Sequence, residues 1–238
     1  MTTYILRHGQ TDYSKRYLVN GDPAKPIHLN EEGRNSLSGS WSTLPLHSVA
    51  TWLTSEFPRA CQTASLLMGV PAPALVIDAR LNELDYGDFE GRPFLEYAVW
   101  LDSNGSSERP PGATESQREG IRRMLTGVLG ALEHPGPRVL VGHGLLVSVL
   151  LWYQSRIGAE AMPLFFPEAP YLEPIVIPDD ELPILVTALL DDLDSGVLRE
   201  ATGGGDAPTL RISEGAAVAT VDPVSPSHSP DQKDLPHA

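Results

Sequence analysis

The chain has a single cysteine in 238 residues, Cys61, which excludes an internal disulfide and fits a reducing compartment. It has no apolar run of the length a bilayer requires. Its opening, MTTYILRHG, lacks a basic stretch ahead of a long apolar core and does not read as a signal peptide. A cytoplasmic location with no membrane partner is therefore expected. Metal-ligand spacings are also missing: there is no HxH, no HExxH and no cysteine–histidine cluster, so no metal or other cofactor is expected. Positive charge is scarce towards the C-terminus. Residues 158–238 hold 3 Lys or Arg against 15 Asp or Glu, whereas residues 1–157 hold 14 and 16, and the whole chain carries a formal charge of −14. No basic face suited to a phosphate backbone is visible, which argues against a nucleic-acid partner. An anionic ligand would have to be held by a local cluster of positive groups against the overall field.

What is present is an ordinary globular composition, 41% hydrophobic and 20% charged, long enough for one full α/β domain. Strand-like and helix-like segments alternate over the first 157 residues. Tyr4–Leu6 is a short apolar run ending in Arg7, His8 and Gly9. Asn30 can N-cap a helix reaching about Thr43, with Leu37, Trp41 and Leu44 on one face. SVATWLTS reads as a strand, EFPRACQTASLLM as a helix with Pro58 in its first turn, and ALVID as a short strand. TESQREGIRRMLTGVLGALEH predicts a strong helix: Thr114 and Gln117 match a capping box, and Ile121, Met124, Leu125, Val128, Leu129 and Leu132 form an apolar stripe. RVLVGHG reads as a strand ending in a second His-Gly pair, and LLVSVLLWYQ as a mostly buried helix. This alternation predicts an α/β fold with a mostly parallel central sheet covered by helices on both faces in three layers.

Residues 1–221 are expected to form a single domain. Within it, 158–213 is an acidic, Pro-rich insertion or extension whose default reading is solvated linker, although it could cap the site or contact a partner. PYLEPIVIP suits a strand there, LPILVTALLDDL a helix, and GAAVATVD a late edge strand. Residues 222–238 lack apolar mass and are expected to be disordered.

Chemistry concentrates at the strand ends, where ligands sit in open parallel sheets. His8 and His143 each end a predicted strand and each precede a glycine that permits close approach. The helix after His143 would aim its first amides at the same edge, where an anion is favoured. Arg59 falls in the first turn of its helix, a poor place for a cation unless the guanidinium is needed over the strand end. With Arg7 it supplies two planar forks suited to phosphate oxygens.

Four blocks, LRHGQT, SEFPRACQTASLL, LNELDYGDFEG and VLVGHG, stand in order and resemble the signature blocks of the histidine phosphatase superfamily, the phosphoglycerate-mutase-like group, over roughly residues 1–157. The resemblance implies a phosphoglycerate-mutase-like fold and a nucleophilic His8 that becomes transiently phosphorylated. Arg7, Arg59 and His143 would surround the phosphoryl oxygens, and Glu83 would be the proton donor. Thr11 and Asn20 match positions lining the phosphate entrance. Ser14 stands where the family often has asparagine, and could still bond a phosphate oxygen at shorter reach; Gly142 stands where serine often precedes the second histidine. Gly144 follows that histidine and is grouped with the substrate-binding residues. Glu115 or Ser116 could reach a leaving group.

The chemistry such residues serve is consistent: a phosphomonoester dianion must be neutralised, the nucleophile must be a neutral imidazole with a fixed tautomer, and the departing alkoxide needs a proton. The expected activity is a metal-independent phosphomonoesterase, hydrolysing a small phosphorylated metabolite through phospho-His8 with Glu83 as general acid and base. The alternatives are a phosphoglycerate-type mutase, disfavoured because LDYGDFEGRPF after Glu83 looks more like the hydrolytic members, and a non-catalytic phosphate-binding module. Oligomeric state is not legible. Among other candidates, Cys61 near Arg59 invites a lowered thiol pKa but reads better as a buried small side chain. His28, His47 and His134 read as solvent-facing. Glu115, Arg118 and Arg122 read as a solvated ion-pair row.

Overall fold

The computed structural model describes residues 1–37, 46–69, 75–156 and 161–201. Five strands form one sheet: β1 (Thr2–Arg7), β2 (Thr51–Thr54), β3 (Leu75–Ile77), β4 (Arg138–Gly142) and β5 (Ile175–Pro178), in the order β3-β2-β4-β1-β5. β1, β2, β3 and β4 run parallel, and β5 joins β1 antiparallel at one edge. Alternation along the central strands builds two cores. Ile5, Leu53 and Leu140 face one side, while Leu6, Trp52, Val139 and Val141 face the other. The first side is covered by α4 (Phe94–Asn104), α5 (Gln117–Gly130), α6 (Gly144–Ser155) and α7 (Leu182–Ala201). The second is covered by α2 (Glu31–Leu37) and α3 (Pro58–Met68), and a one-turn helix, α1 (Asp12–Lys15), follows β1. The three-layer α/β arrangement expected from the sequence is the one found.

Several local expectations change. The Asn30 carboxamide does accept from the Gly33 amide at 2.8 Å and so caps α2, while the continuation through Trp41 and Leu44 lies outside the described residues. So do GAAVATVD and the segment 222–238. The capping box of α5 is formed by Ser116 and Glu119, not by Thr114 and Gln117. Two such patterns overlap in TESQREG, and Thr114 is drawn away because its amide and hydroxyl both bond Asp85 Oδ2, at 2.7 and 2.8 Å. Leu129, at the margin of the α5 stripe, is exposed. Glu115, Arg118 and Arg122 do not form a row. Glu115 precedes the helix and pairs with Arg123, Arg122 pairs with Asp194 of α7, and Arg118 reaches Ser106. The neighbours on either side of α5 separate them. His28 and His47 are exposed, whereas His134 is half-buried.

The predicted strand and helix of the acidic segment are present as β5 and α7. Its carboxylates tie into the first 157 residues: Asp179 to Arg138, Asp192 to Arg156, and Asp194 to Arg122. Arg138, buried in β4, donates to Asp179 and to the Thr3 hydroxyl, both at 2.9 Å, and to the His134 carbonyl at 2.8 Å. It thereby fastens β1, β4 and the turn after β5. Arg138→Met should lower unfolding free energy by about 3 kcal/mol, the low end for breaking a buried pair because Asp179 keeps some contact with water. A urea midpoint shift with unchanged slope checks it.

Candidate active site

Strand register brings the two histidines together. Arg7 pairs with Gly142 across the parallel β1–β4 ladder, so His8 and His143 are the next residues on neighbouring strands. The His8 amide continues the ladder to the Gly142 carbonyl at 3.0 Å. Their rings meet edge to face with centroids 5.2 Å apart. The connections that leave these two strands pack on opposite faces of the sheet, which opens a crevice beyond their carboxyl ends.

Arg59, second residue of α3, binds the pair. Its Nε donates to His8 Nε2 at 3.0 Å, and Nη2 donates to the Asn20 carbonyl at 3.1 Å and to His143 Nδ1 at 3.2 Å. Nη1 donates to Asn20 Oδ1, and the guanidinium lies 4.4 Å from the Phe57 ring centre. Because Arg59 occupies His8 Nε2 as a donor, the ring proton of His8 sits on Nδ1 and is given to the Gly9 carbonyl at 2.7 Å. By the same reasoning His143 carries its proton on Nε2, facing the Ser55 hydroxyl at 2.7 Å. Burial, then the charges of Arg59 and Arg7, hold the pKa of His8 well below the usual histidine range. Burial and Arg59 do the same to His143. Burial brings Arg59 itself down to about 10, which leaves it cationic at neutral pH.

Around this centre lies a cavity of about 190 Å³ whose walls include Arg7, His8, Thr11, Ser14, Asn20, Arg59, Glu83 and Gly144. Eight of the nine residues expected at the site from sequence thus share one cavity. The ninth, His143, is 0% exposed and stands behind the wall with both ring nitrogens engaged. Thr11 and Ser14 form the capping box of α1, which commits their hydroxyls to one another and to backbone. Asn20 takes its orientation from Glu90, whose Oε1 accepts from the carboxamide at 2.8 Å and whose Oε2 accepts from the Gly21 amide at 2.6 Å. Gly21 is required there, since a Cβ would stand 2.0 Å from the Leu84 carbonyl oxygen. That close approach sets the Asn20 turn against the segment carrying Glu83.

Burial pushes the Glu83 carboxyl above the ordinary glutamate range, against the opposing pulls of the Leu84 amide and of Arg59, Arg7 and Arg123. Arg123 clamps this segment. It donates to the carbonyls of Arg80 and Asn82 at 2.9 Å and of Glu83 at 3.2 Å, while Glu115 holds its other edge at 2.6 and 2.9 Å. Glu115 is therefore a support of the Glu83 loop, and neither it nor Ser116 lines the cavity; the neighbouring Gln117 does. Burial raises the Cys61 thiol pKa, opposite to the shift that Arg59 invited, and its sulfur sits 3.3 Å from the Ser55 carbonyl.

At the far wall the default linker reading of the acidic segment gives way to its alternative, a cap on the site. Residues 164–169 close the cavity, and beyond them Leu172 donates its amide to the Arg7 carbonyl at 3.1 Å, laying a strap beside the end of β1. Arg7 Nη1 donates to the Ala169 carbonyl at 2.6 Å and to Glu168 at 3.3 Å, and the guanidinium stacks 4.0 Å from the Tyr171 ring centre. Arg7 Nε is buried and has no hydrogen-bond partner among the described residues. Nothing in the local pattern of the strap announces this role; only the run Leu164-Phe165-Phe166, apolar amid acidic and Pro-rich text, sets it apart.

A family model for the histidine phosphatase superfamily (branch 1) matches residues 3–171. The chain belongs to that superfamily. Membership places it among phosphoryl-transfer enzymes. A probable phosphoglycerate mutase of Proteus mirabilis is 27% identical over 162 residues, 63% of this chain and 73% of the relative. A mycobacterial glucosyl-3-phosphoglycerate phosphatase complexed with VO3 is 26% identical, with a TM-score of 0.53 over 63% of this chain and 80% of that one. A putative alpha-ribazole-5'-P phosphatase from Escherichia coli shares the fold at 24% identity, with a TM-score of 0.55 over 71% of this chain and 86% of that one. Among the described residues, no helix is long and apolar enough to cross a membrane, and no group of three or more His, Cys, Asp or Glu is placed to hold a metal ion.

The histidine shifts make this superfamily member's stability depend on pH in a definite direction. The unfolded chain takes up protons on His8 and His143 near pH 6.5, whereas the folded chain resists protonation well below that value. Stability is therefore greatest above that pH and is lost as pH falls through it, by up to about 1.4 kcal/mol per pH unit for each histidine. The raised Glu83 pKa acts oppositely at lower pH, adding stability as its carboxyl takes a proton. Urea unfolding at pH 7.0 and 5.5 should show the loss, and a His8→Gln/His143→Gln double variant should show a shallower dependence.

Proposed function

We propose that the protein is a phosphomonoesterase that uses no metal and passes the phosphoryl group of a small metabolite through phospho-His8 to water. One observation carries the reading: His8 Nδ1 gives its proton to the Gly9 carbonyl, which directs the unprotonated Nε2 to Arg59, in a cavity that also holds Glu83. An ester phosphate entering there draws the Arg59 donors from His8 to its own oxygens and frees the Nε2 lone pair for in-line attack. Arg7 Nε, a buried donor without a partner among the described residues, suits a second oxygen. His143 supports from behind by orienting Arg59 through Nδ1.

As Nε2 bonds to phosphorus, the P–O bond to the leaving group breaks and the departing oxygen takes the proton of Glu83. The raised pKa of that carboxyl suits the role. The ionised Glu83 then removes a proton from water, which attacks the phosphohistidine, and phosphate leaves with His8 and Glu83 restored. The 164–169 strap belongs to the same catalytic unit, because it supplies part of the cavity wall, in keeping with a single domain over residues 1–221. A mutase would share the first half-reaction and return the phosphoryl group to a second hydroxyl. Hydrolysis is preferred on the LDYGDFEG segment and on the phosphatase activity named for the mycobacterial relative.

The test is phosphate release from a panel of phosphomonoesters without added metal, with 3-phosphoglycerate isomerisation followed in parallel. His8→Ala should abolish turnover. Glu83→Gln should lower kcat/KM for alkyl phosphates by about 10²–10⁴ while costing p-nitrophenyl phosphate far less, since its leaving group needs no proton. The wild type should lose activity as pH rises through the raised Glu83 pKa, and Glu83→Gln should lack that basic limb. Normal turnover by His8→Ala, or equal losses on both ester types, contradicts the mechanism.

A further inference from the structure

The cavity that holds Arg7 and Arg59 has an unusual composition. Four of the chain's seven tyrosines and three of its five phenylalanines line it. They arrive from separate places: Tyr13 and Tyr17 follow β1, Phe94 and Tyr97 belong to α4, and Phe165 comes from the strap. Tyr17 is held with φ at +55°, a conformation disfavoured for a bulky residue, by the Phe94 amide bonding its carbonyl at 2.7 Å. In that posture its side chain stays 44% exposed at the cavity instead of packing into the core. An aromatic ring kept at a cavity wall by a strained backbone suits contact with a ligand better than contact with water.

Charge in the same cavity is equally one-sided. Among the described residues, its only cationic lining residues are Arg7 and Arg59, and a phosphoryl dianion needs both. The remaining ionisable walls are Glu83, whose carboxyl holds its proton as the acid, and Glu168, so a second anionic group on the substrate would meet the Glu168 carboxylate and no spare cation. Glu168 bonds Arg7 from the mouth side, which places negative charge at the entry.

We infer that the substrate is a phosphomonoester of an uncharged alcohol carrying a compact aromatic or similarly flat apolar group, bound against Tyr17, Phe94 and Phe165, and that carboxylated phosphates of the phosphoglycerate type are rejected. This rests on the phosphatase reading above and narrows it. The apolar wall supplies affinity by excluding water from the ring. Glu168 supplies discrimination by repelling a second anion, and no further cation stands by to offset it.

Calorimetric titration of the wild-type protein with three non-hydrolysable phosphonates tests the inference without requiring turnover. Benzylphosphonate should bind at least about tenfold more tightly than ethylphosphonate, and 2-carboxyethylphosphonate at least about tenfold more weakly than ethylphosphonate. Any other order overturns the inference. Phe165→Ala should reduce the benzyl-to-ethyl affinity ratio about fivefold, and an unchanged ratio removes the strap from the recognition surface. Turnover of benzyl phosphate against 3-phosphoglycerate separates the two levels of the account. His8-dependent hydrolysis with the carboxylated ester preferred defeats the inference and leaves the phosphatase reading standing. Failure of all three phosphonates to bind, with no ester hydrolysed, defeats both.

Discussion

The fork of Arg59 is the contact on which the site depends. One guanidinium, buried at the start of α3, bonds a ring nitrogen of each histidine and both oxygens of Asn20. Those bonds set the tautomers of His8 and His143, because a nitrogen that accepts from arginine cannot carry a proton. Burial first, and then repulsion of a third positive charge by Arg59 and Arg7, keeps both rings neutral. A buried cation with this many donors requires acceptors placed in advance. The fold provides them by ending β1 and β4 in register and by locking Asn20 through Glu90. Lysine could not substitute, as the three donors of a single ammonium cannot reach four acceptors lying in different directions.

Tautomer control gives the arrangement its chemical direction. The Gly9 carbonyl takes the Nδ1 proton of His8, so the lone pair at Nε2 points towards the cationic fork. In the resting protein that lone pair is occupied by Arg59, and an arriving phosphate competes for the same donors. The exchange that neutralises the substrate is thus the one that releases the nucleophile. The strap engages Arg7 in a parallel way, with Glu168 holding it at the mouth, where a substrate oxygen would compete. The chain's surplus negative charge does not undermine the cationic site, because part of the acidic C-terminal region is consumed in ion pairs with Arg122, Arg138 and Arg156 that dock β5 and α7.

The two His-Gly strand ends were legible in the sequence because a catalytic pattern there coincides with a period-two apolar run, and both signals are local. The residue register that sets the rings 5.2 Å apart was not, since strand order follows from the packing of both faces together. The α5 cap illustrates a nearer limit. Thr114 and Ser116 each begin an acceptable box, and the choice is made by Asp85, a residue about thirty positions away in the chain. Glu90 stands inside the LNELDYGDFEG block but its bond to Asn20 is not read from it, and Arg123 acts on the Glu83 backbone from outside any block. The strap was least legible of all: its proline-rich text has no periodicity, and its partner Arg7 lies some 160 residues earlier.

The central claim is that His8 is a neutral imidazole with its proton on Nδ1 and an unprotonated Nε2 that accepts from Arg59. Nitrogen-15 NMR of histidine-labelled protein, with the His8 resonances assigned by comparison with His8→Gln and followed from pH 8 to pH 5, tests it most directly. The account predicts one protonated nitrogen, Nδ1, and one unprotonated nitrogen, Nε2, with no transition near pH 6.5. An imidazolium at pH 7, or a proton residing on Nε2, would contradict it.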